Sequence, residues 1–151
     1  MNVEVVNEFG PEHVDEFCDL YDQYPWWEDR TSEDVQTMIE HTDLLVGLRE
    51  TETAHLVAAG RVLTDFVYYA KIYDVIVAER HRGNGLGRNL VESIIGHSTL
   101  NSIPNITLDC REGLIPFYKN CGFERHEMEV GLHEKPGELQ EDLVSMVYYR
   151  E

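Results

Sequence analysis

Apolar residues recur along the chain with two different periods, and the switches between them mark out its elements. VEVV, residues 3–6, alternates and predicts a first strand. Val14, Phe17, Cys18 and Tyr21 recur at i, i+3, i+4 and i+7, the stripe of an amphipathic helix, with Pro11 suited to its opening turn. YPWWEDR, residues 24–30, breaks that period. Thr31 then predicts the N-cap of a second helix, which turns Val35, Met38 and Ile39 inward and sets Glu33 and Asp34 near its positive end. DLLVGLR, 43–49, and HLVAAGRVL, 55–63, read as paired strands around the turn TET. VYYAKIYDVIVA predicts a long extended run that ends at Ala78. Beyond it, Leu86, Leu90, Val91, Ile94 and Ile95 share one helix face, and NITLDC, 105–110, is a short strand. LIPFYKNCGF holds a short helix ending near Gly122, which suits a left-handed C-cap. EMEVGLH and DLVSMVYY read as two closing strands joined through KPGE.

This order predicts one α/β domain over residues 1–151: a mixed, mostly antiparallel central sheet of about seven strands with about four helices on both faces. No repeat, low-complexity segment or linker divides it.

Charge narrows the function. The chain carries 29 acidic residues against 12 basic ones, a formal charge of -17. Such a field repels nucleic-acid phosphates and anionic membranes, so neither is expected as a partner. It suits either a solvated acidic surface in concentrated salt or attraction of a cationic substrate such as an amine, and it disfavours anionic acceptors. The start, MNVEVVNEFG, lacks the regions of a signal peptide and no stretch has the length of an apolar span, so a cytoplasmic location is expected. Cys18, Cys110 and Cys121 are too scattered for a disulfide framework, and the histidines show no metal-ligand spacing, so no metal is expected.

The scarce positive charge is concentrated. AERHRGNGLGR places Arg80, His81, Arg82 and Arg88 beside Gly83, Gly85 and Gly87, between a strand and a helix. Free backbone N–H groups and the positive end of a helix dipole converge at such a junction and form an anion site. The plainer reading is a solvated helix start whose glycines merely shape a turn. A P-loop is excluded because no lysine lies here, and the G-x-G-x-x-G fingerprint fails from Gly83 at Arg88 and from Gly85 at Leu90.

Arg82-Gly83-Asn84-Gly85-Leu86-Gly87 reads R-x-x-G-x-G and follows VAERHR, Val77 to Arg82. In these residues the sequence resembles the GNAT superfamily of acyl-CoA-dependent N-acetyltransferases, whose pattern is (Q/R)-x-x-G-x-(G/A) after a strand ending V-x-P-x-x-R. Glu79 departs from the common proline. IPFYKNCGFE, Ile115 to Glu124, resembles the F-Y-x-x-x-G-F segment of the same family, and the likeness spans residues 43 to 124. The resemblance implies a GNAT-like fold that binds acetyl-CoA. The backbone of Arg82, Gly83, Asn84, Gly85, Leu86 and Gly87 would hold the pyrophosphate, with Arg88 helping. Val75, Ile76 and Val77 would meet the pantetheine arm, and Tyr118 would donate a proton to the departing thiolate. Tyr118 also reads simply as a packed tyrosine. The family often dimerises, which makes a homodimer an expectation.

Transfer to a primary amine of a small molecule or peptide also needs something to accept the amine's proton. Asp74 interrupts an apolar strand, and reads either as that catalytic base or amine ligand, or as a structural carboxylate bonded to a neighbour. Asp65 either caps the turn between strands or binds the amine. Trp26 and Trp27 either wall the acceptor pocket or pack on the core. Cys110 and Cys121 have no adjacent histidine to activate them, which favours direct transfer over an acyl-cysteine. The rival readings are a non-catalytic acyl-CoA sensor and a GNAT enzyme that uses another acyl group.

Overall fold

The computed structural model describes residues 1–125, Met146 and residues 148–150. The elements in chain order are β1 (Val3–Val6), α1 (Val14–Tyr21), α2 (Ser32–His41), β2 (Leu44–Glu50), β3 (Leu56–Thr64), β4 (Ala70–Val77), α3 (Leu86–Ile95), β5 (Ile106–Leu108) and α4 (Ile115–Asn120). This is the expected order as far as α4. Of the two expected closing strands, EMEVGLH lies outside the described residues, and of DLVSMVYY only Met146, Tyr148 and Tyr149 are described and are not in a strand; the described residues form a sheet of five strands, not about seven.

The strands lie in the order β1-β2-β3-β4-β5, antiparallel up to β4, while β5 runs parallel to β4. Alternation along β2 divides the core between the two faces of the sheet. Leu44, Val46 and Leu48 pack with Leu86, Leu90 and Ile94 of α3 on one face. Leu45 joins Phe17, Leu20 and Tyr21 of α1 and Val35 and Ile39 of α2 on the other. Gly60 lets α3 come close, for a Cβ there would lie 2.9 Å from Ile94 Cδ1.

Local chemistry sets the boundaries. Pro11 opens a short 3-10 turn, Pro11–His13, that leads into α1. The Thr31 hydroxyl accepts the Asp34 N–H at 3.2 Å and caps α2. β4 starts at Ala70, later than its apolar run suggests. The reason is Asp65, whose Oδ1 accepts the N–H groups of Val67, Tyr68 and Tyr69 at 3.0, 2.7 and 3.0 Å and folds them into a turn.

β4 carries a bulge. Ala59 pairs with Ile76 but Arg61 pairs with Tyr73, so two steps on β3 span three on β4. Asp74 lies in the extra step with φ +53°, a left-handed conformation that aspartate tolerates better than most residues. Its carboxylate is gripped from both sides: Arg30 Nη1 and Arg61 Nε each donate to Oδ2 at 2.7 Å, and Arg30 Nη2 donates to Oδ1 at 3.3 Å. This triad ties the segment between α1 and α2 to the sheet. Burial by itself would raise the Asp74 carboxyl, but hydrogen bonds and charge from Arg30 and Arg61 outweigh it and hold the group below the usual carboxylate range.

The stability contributed by ionised Asp74 is therefore present above the ordinary carboxylate pKa of about 3.9 and is lost as pH falls below it. Asp74→Asn keeps the left-handed backbone but strands two partly buried guanidinium groups, and should cost about 2–4 kcal/mol at pH 7. Urea midpoints at pH 7 and pH 3 check this, with the difference shrinking at acid pH. Equal stability of the two proteins at pH 7 would contradict it.

Candidate functional site

The β4–β5 ladder consists of Ala70 with Ile106, Lys71 with Thr107 and Ile72 with Leu108. Beyond Ile72 the bulge turns β4 aside while β5 ends at Leu108, so the C-terminal part of β4 has no strand beside it on that side among the described residues, which leaves a cleft. Openings of this kind at the carboxyl ends of parallel strands are where α/β sheets bind ligands.

On one rim lies the glycine turn. Gly83 and Gly85 take φ of +81° and +77°, and a Cβ on either would meet nothing within 4 Å, so their bare backbone faces open space. Gly85 is the N-cap of α3 and supplies no side-chain bond to the amides of the first turn, which leaves those donors available to an anion. Gly87 has a different role: a Cβ there would lie 3.1 Å from Phe117 Cζ and 3.6 Å from Val77 Cγ2, so its absence lets α4 approach α3 beside the cleft. Leu86 is buried in the core beneath the turn. Asn84 Nδ2 donates to the His81 carbonyl at 3.4 Å and helps close the loop. A backbone cradle at a helix N-terminus suits a diphosphate, so the residues present fit the polyanion that the sequence motif implies.

The two arginines of the motif point elsewhere. Arg88 Nε pairs with Glu92 Oε1 at 2.8 Å along the exposed face of α3. Arg82 Nε donates to the Tyr24 hydroxyl at 2.9 Å, with its guanidinium 4.6 Å from that ring. The cradle therefore rests on amides more than on guanidinium groups.

Of the three strand residues expected to meet a pantetheine arm, Ile76 pairs with Ala59 and is buried against α1 and α2. Because the Ala78 N–H bonds to the Val57 carbonyl across β3, alternation turns the peptide edges of Val77 and Val75 toward the cleft. There the Tyr24 hydroxyl donates to the Val77 carbonyl.

Tyr118 stands on α4, next to the Phe117 that packs against Gly87. A Schellman cap ends α4, with Gly122 N–H on the Lys119 carbonyl and Phe123 N–H on the Tyr118 carbonyl, both at 3.0 Å, and Gly122 at φ +96°. Phe117 and Phe123 pack edge-on against the Tyr118 ring, at 4.9 and 5.9 Å between centroids. Burial, helped by Cys110 and Cys121, pushes its phenol up to about 12, so it stays protonated at neutral pH. It makes no hydrogen bond to another described residue.

The aromatic segment between α1 and α2 forms the far wall. Trp27 is partly buried against the core and packs edge-on against Tyr21 and Tyr24. Trp26 is 46% exposed and carries the Arg111 guanidinium over its ring at 3.8 Å. The two tryptophans thus divide the roles the sequence left open: Trp27 packs, and Trp26 faces outward. Asp65 caps its turn, where the amides of Tyr69, Val67 and Tyr68 hold its carboxyl below the ordinary range. Both oxygens of Asp74 are held by arginines, which lowers its affinity for a proton and supports its structural reading over that of a base.

Sequence reasoning missed Tyr24, Arg30, Arg61 and Arg111. Their partners lie on other elements, 44 residues away in the case of Arg30 and Asp74 and 13 in that of Arg61 and Asp74, and no local spacing encodes them. An open depression of about 660 Å³ lies along α1, lined by Glu16, Asp19, Gln23, His55 and Arg80 among others. It contains neither the glycine turn nor Tyr118, and its carboxylates would repel a polyanion.

A histone acetyltransferase from Glycine max is 36% identical over 78 residues, which are 52% of this chain and 34% of that protein. Glucosamine 6-phosphate N-acetyltransferase 1 from Oryza sativa subsp. japonica is 28% identical over 96 residues, 60% of this chain and 58% of that protein. The chain thus spans about a third to three fifths of the length of these curated relatives. The fold also superposes on the crystal structure of glucosamine-6-phosphate N-acetyltransferase from Arabidopsis thaliana with a TM-score of 0.68 at 19% identity, covering 89% of this chain and all of the other. A GNAT-family acetyltransferase from Streptococcus pneumoniae gives a TM-score of 0.65 at 18% identity, covering 82% of this chain and 86% of that one. Residues 4–123, which hold every element from β1 to the cap of α4, match the model of the acetyltransferase (GNAT) family, and the chain belongs to that family.

Proposed function

We propose that the chain is an acetyl-CoA-dependent N-acetyltransferase that passes the acetyl group directly to a primary amine. The observation that supports this reading is an amide cradle at Gly83–Gly87 beside α4, whose Phe117 packs against Gly87 and whose Tyr118 carries a buried, protonated phenol. When bound, acetyl-CoA supplies a thioester carbonyl that an amine can attack.

Each part of the chain has a separate task. The first-turn amides of α3 hold the diphosphate and fix the register of the arm. The cleft-facing edges of Val75 and Val77 orient the arm along β4. An amine entering beside Trp26 attacks the carbonyl carbon, so a C–N bond forms as the C–S bond breaks. Tyr118 O–H donates a hydrogen bond to the sulfur as negative charge develops there, without placing a charge of its own in the apolar site. A phenol near 12 is a weaker acid than a thiol of about 8.5, so it stabilises the thiolate chiefly as a hydrogen-bond donor. The amine must arrive as the free base, its ammonium proton having passed to water; on attack its nitrogen becomes cationic and gives up a second proton through water to the departing thiolate, which leaves as the thiol. Asp74 contributes by holding Arg30 and Arg61, and with them the wall that carries the tryptophans. Neither Cys110 nor Cys121 is placed as a nucleophile: burial pushes the Cys121 thiol up, which opposes thiolate formation.

Gly85→Glu places bulk and negative charge in the cradle, and should weaken acetyl-CoA binding at least about 30-fold by calorimetry while the thermal melt retains one cooperative transition. Undiminished affinity would remove the cradle from cofactor binding.

Tyr118→Phe should lower kcat about 100-fold, followed as thiol release, with acetyl-CoA affinity nearly unchanged. In the wild type, kcat/KM should rise about tenfold per pH unit while the amine is mostly protonated, with no fall from Tyr118 ionisation below about pH 11. A kcat within twofold of wild type would remove Tyr118 from the reaction. Acetyl-CoA binding without turnover on any amine would make the chain a sensor instead.

A further inference from the structure

The charged side chains that meet at the cleft are mostly paired with one another. Arg30 and Arg61 share Asp74, Lys71 Nζ lies 2.7 Å from Asp109 Oδ2, and Arg82 is hydrogen-bonded to Tyr24. Arg111 differs. Its guanidinium carbon lies 3.8 Å from the centre of the Trp26 ring, and it makes no ion pair and no side-chain hydrogen bond with another described residue. A guanidinium that rests on a ring through its face keeps its in-plane N–H fork for a carboxylate or phosphate, which it can receive through two parallel bonds.

The backbone fixes where this fork stands. Arg111 lies three residues beyond the end of β5, and its carbonyl accepts the Leu114 N–H at 2.9 Å in the 3-10 turn that leads into α4 and Tyr118. Trp26 comes from the opposite wall, where it packs with Tyr24 and Trp27 at 5.3 and 5.6 Å between centroids. The stack therefore joins the turn that precedes α4 to the segment between α1 and α2. In a chain of formal charge -17, a guanidinium with no ion-pair partner among the described residues offers an anion a local attraction that the overall field does not. The overall charge disfavours anionic acceptors, but the local charge favours them.

We propose that Arg111, held on Trp26, receives an anionic group of the acceptor, so that the amine acetylated at this site carries a carboxylate or a phosphate near its nitrogen. This rests on the acetyltransferase reading above and adds the substrate class to it. Trp26 orients the fork and Arg111 selects the substrate; neither takes part in bond making.

The test measures kcat/KM for amines paired with their uncharged counterparts: an amino acid with its amide, and an amino sugar phosphate with the free amino sugar. In the wild type, one charged member should exceed its partner at least about 30-fold, and which pair shows it distinguishes carboxylate from phosphate. Arg111→Gln should collapse that ratio to within about threefold, and Arg111→Lys, which keeps charge but loses the fork, should fall between. The acetyl-CoA Kd should stay within about twofold in both variants, as expected of a residue that selects the acceptor and not the cofactor. A wild-type ratio near one in both pairs would overturn the inference, as would an equal loss for charged and uncharged amines in Arg111→Gln, or a matching loss of acetyl-CoA affinity. A wild type that binds no acetyl-CoA or acetylates no amine would defeat the acetyltransferase reading itself, and this inference with it.

Discussion

The parallel ladder between β4 and β5 stops after three residue pairs, because Asp74 inserts an extra step into β4 while β5 ends at Leu108. Had pairing continued, the edges of Val75 and Val77 would be consumed by a neighbouring strand. The bulge is costly: it sets a carboxylate at positive φ inside a sheet, where an unpaired charge would be strongly destabilising. Arg30 and Arg61 resolve that cost, and in doing so they fasten the aromatic segment between α1 and α2 over the gap. One irregularity thus opens the cleft and positions its far wall.

Charge is distributed on two scales. Over the whole chain acidic residues dominate, while around the cleft arginines are concentrated. The global field governs solubility and long-range approach; the local one governs which groups rest at the site. Arginines whose heads lie on Tyr24, Tyr21 and Trp26 keep their charge while their faces pack against rings.

The order of elements from β1 to α4 was legible in the sequence because each rests on local periodicity and capping chemistry: Thr31 for α2, Gly122 for the end of α4, the apolar stripe for α3. The glycine turn was legible for the same reason, since its positive φ values demand glycine at Gly83 and Gly85. What escaped was long-range. Residues 67–69 look extended by composition, but Asp65 gathers their amides into a turn. Asp74 showed itself as a polar residue in an apolar strand, but nothing nearby named Arg30 and Arg61 as its partners, and that pairing turns a candidate base into a structural anchor. Arg82 and Arg88 stood in the right motif, but their side chains are directed by Tyr24 and Glu92.

The claim on which the others depend is that main-chain amides at the start of α3 grip the diphosphate of acetyl-CoA beside the open edge of β4. Titrating acetyl-CoA into isotopically labelled protein and following backbone amide resonances tests it residue by residue. The largest shifts should fall on Gly83 through Arg88, with a second group at Val75 and Val77. Shifts confined to the depression along α1, or none at saturating acetyl-CoA, would contradict it.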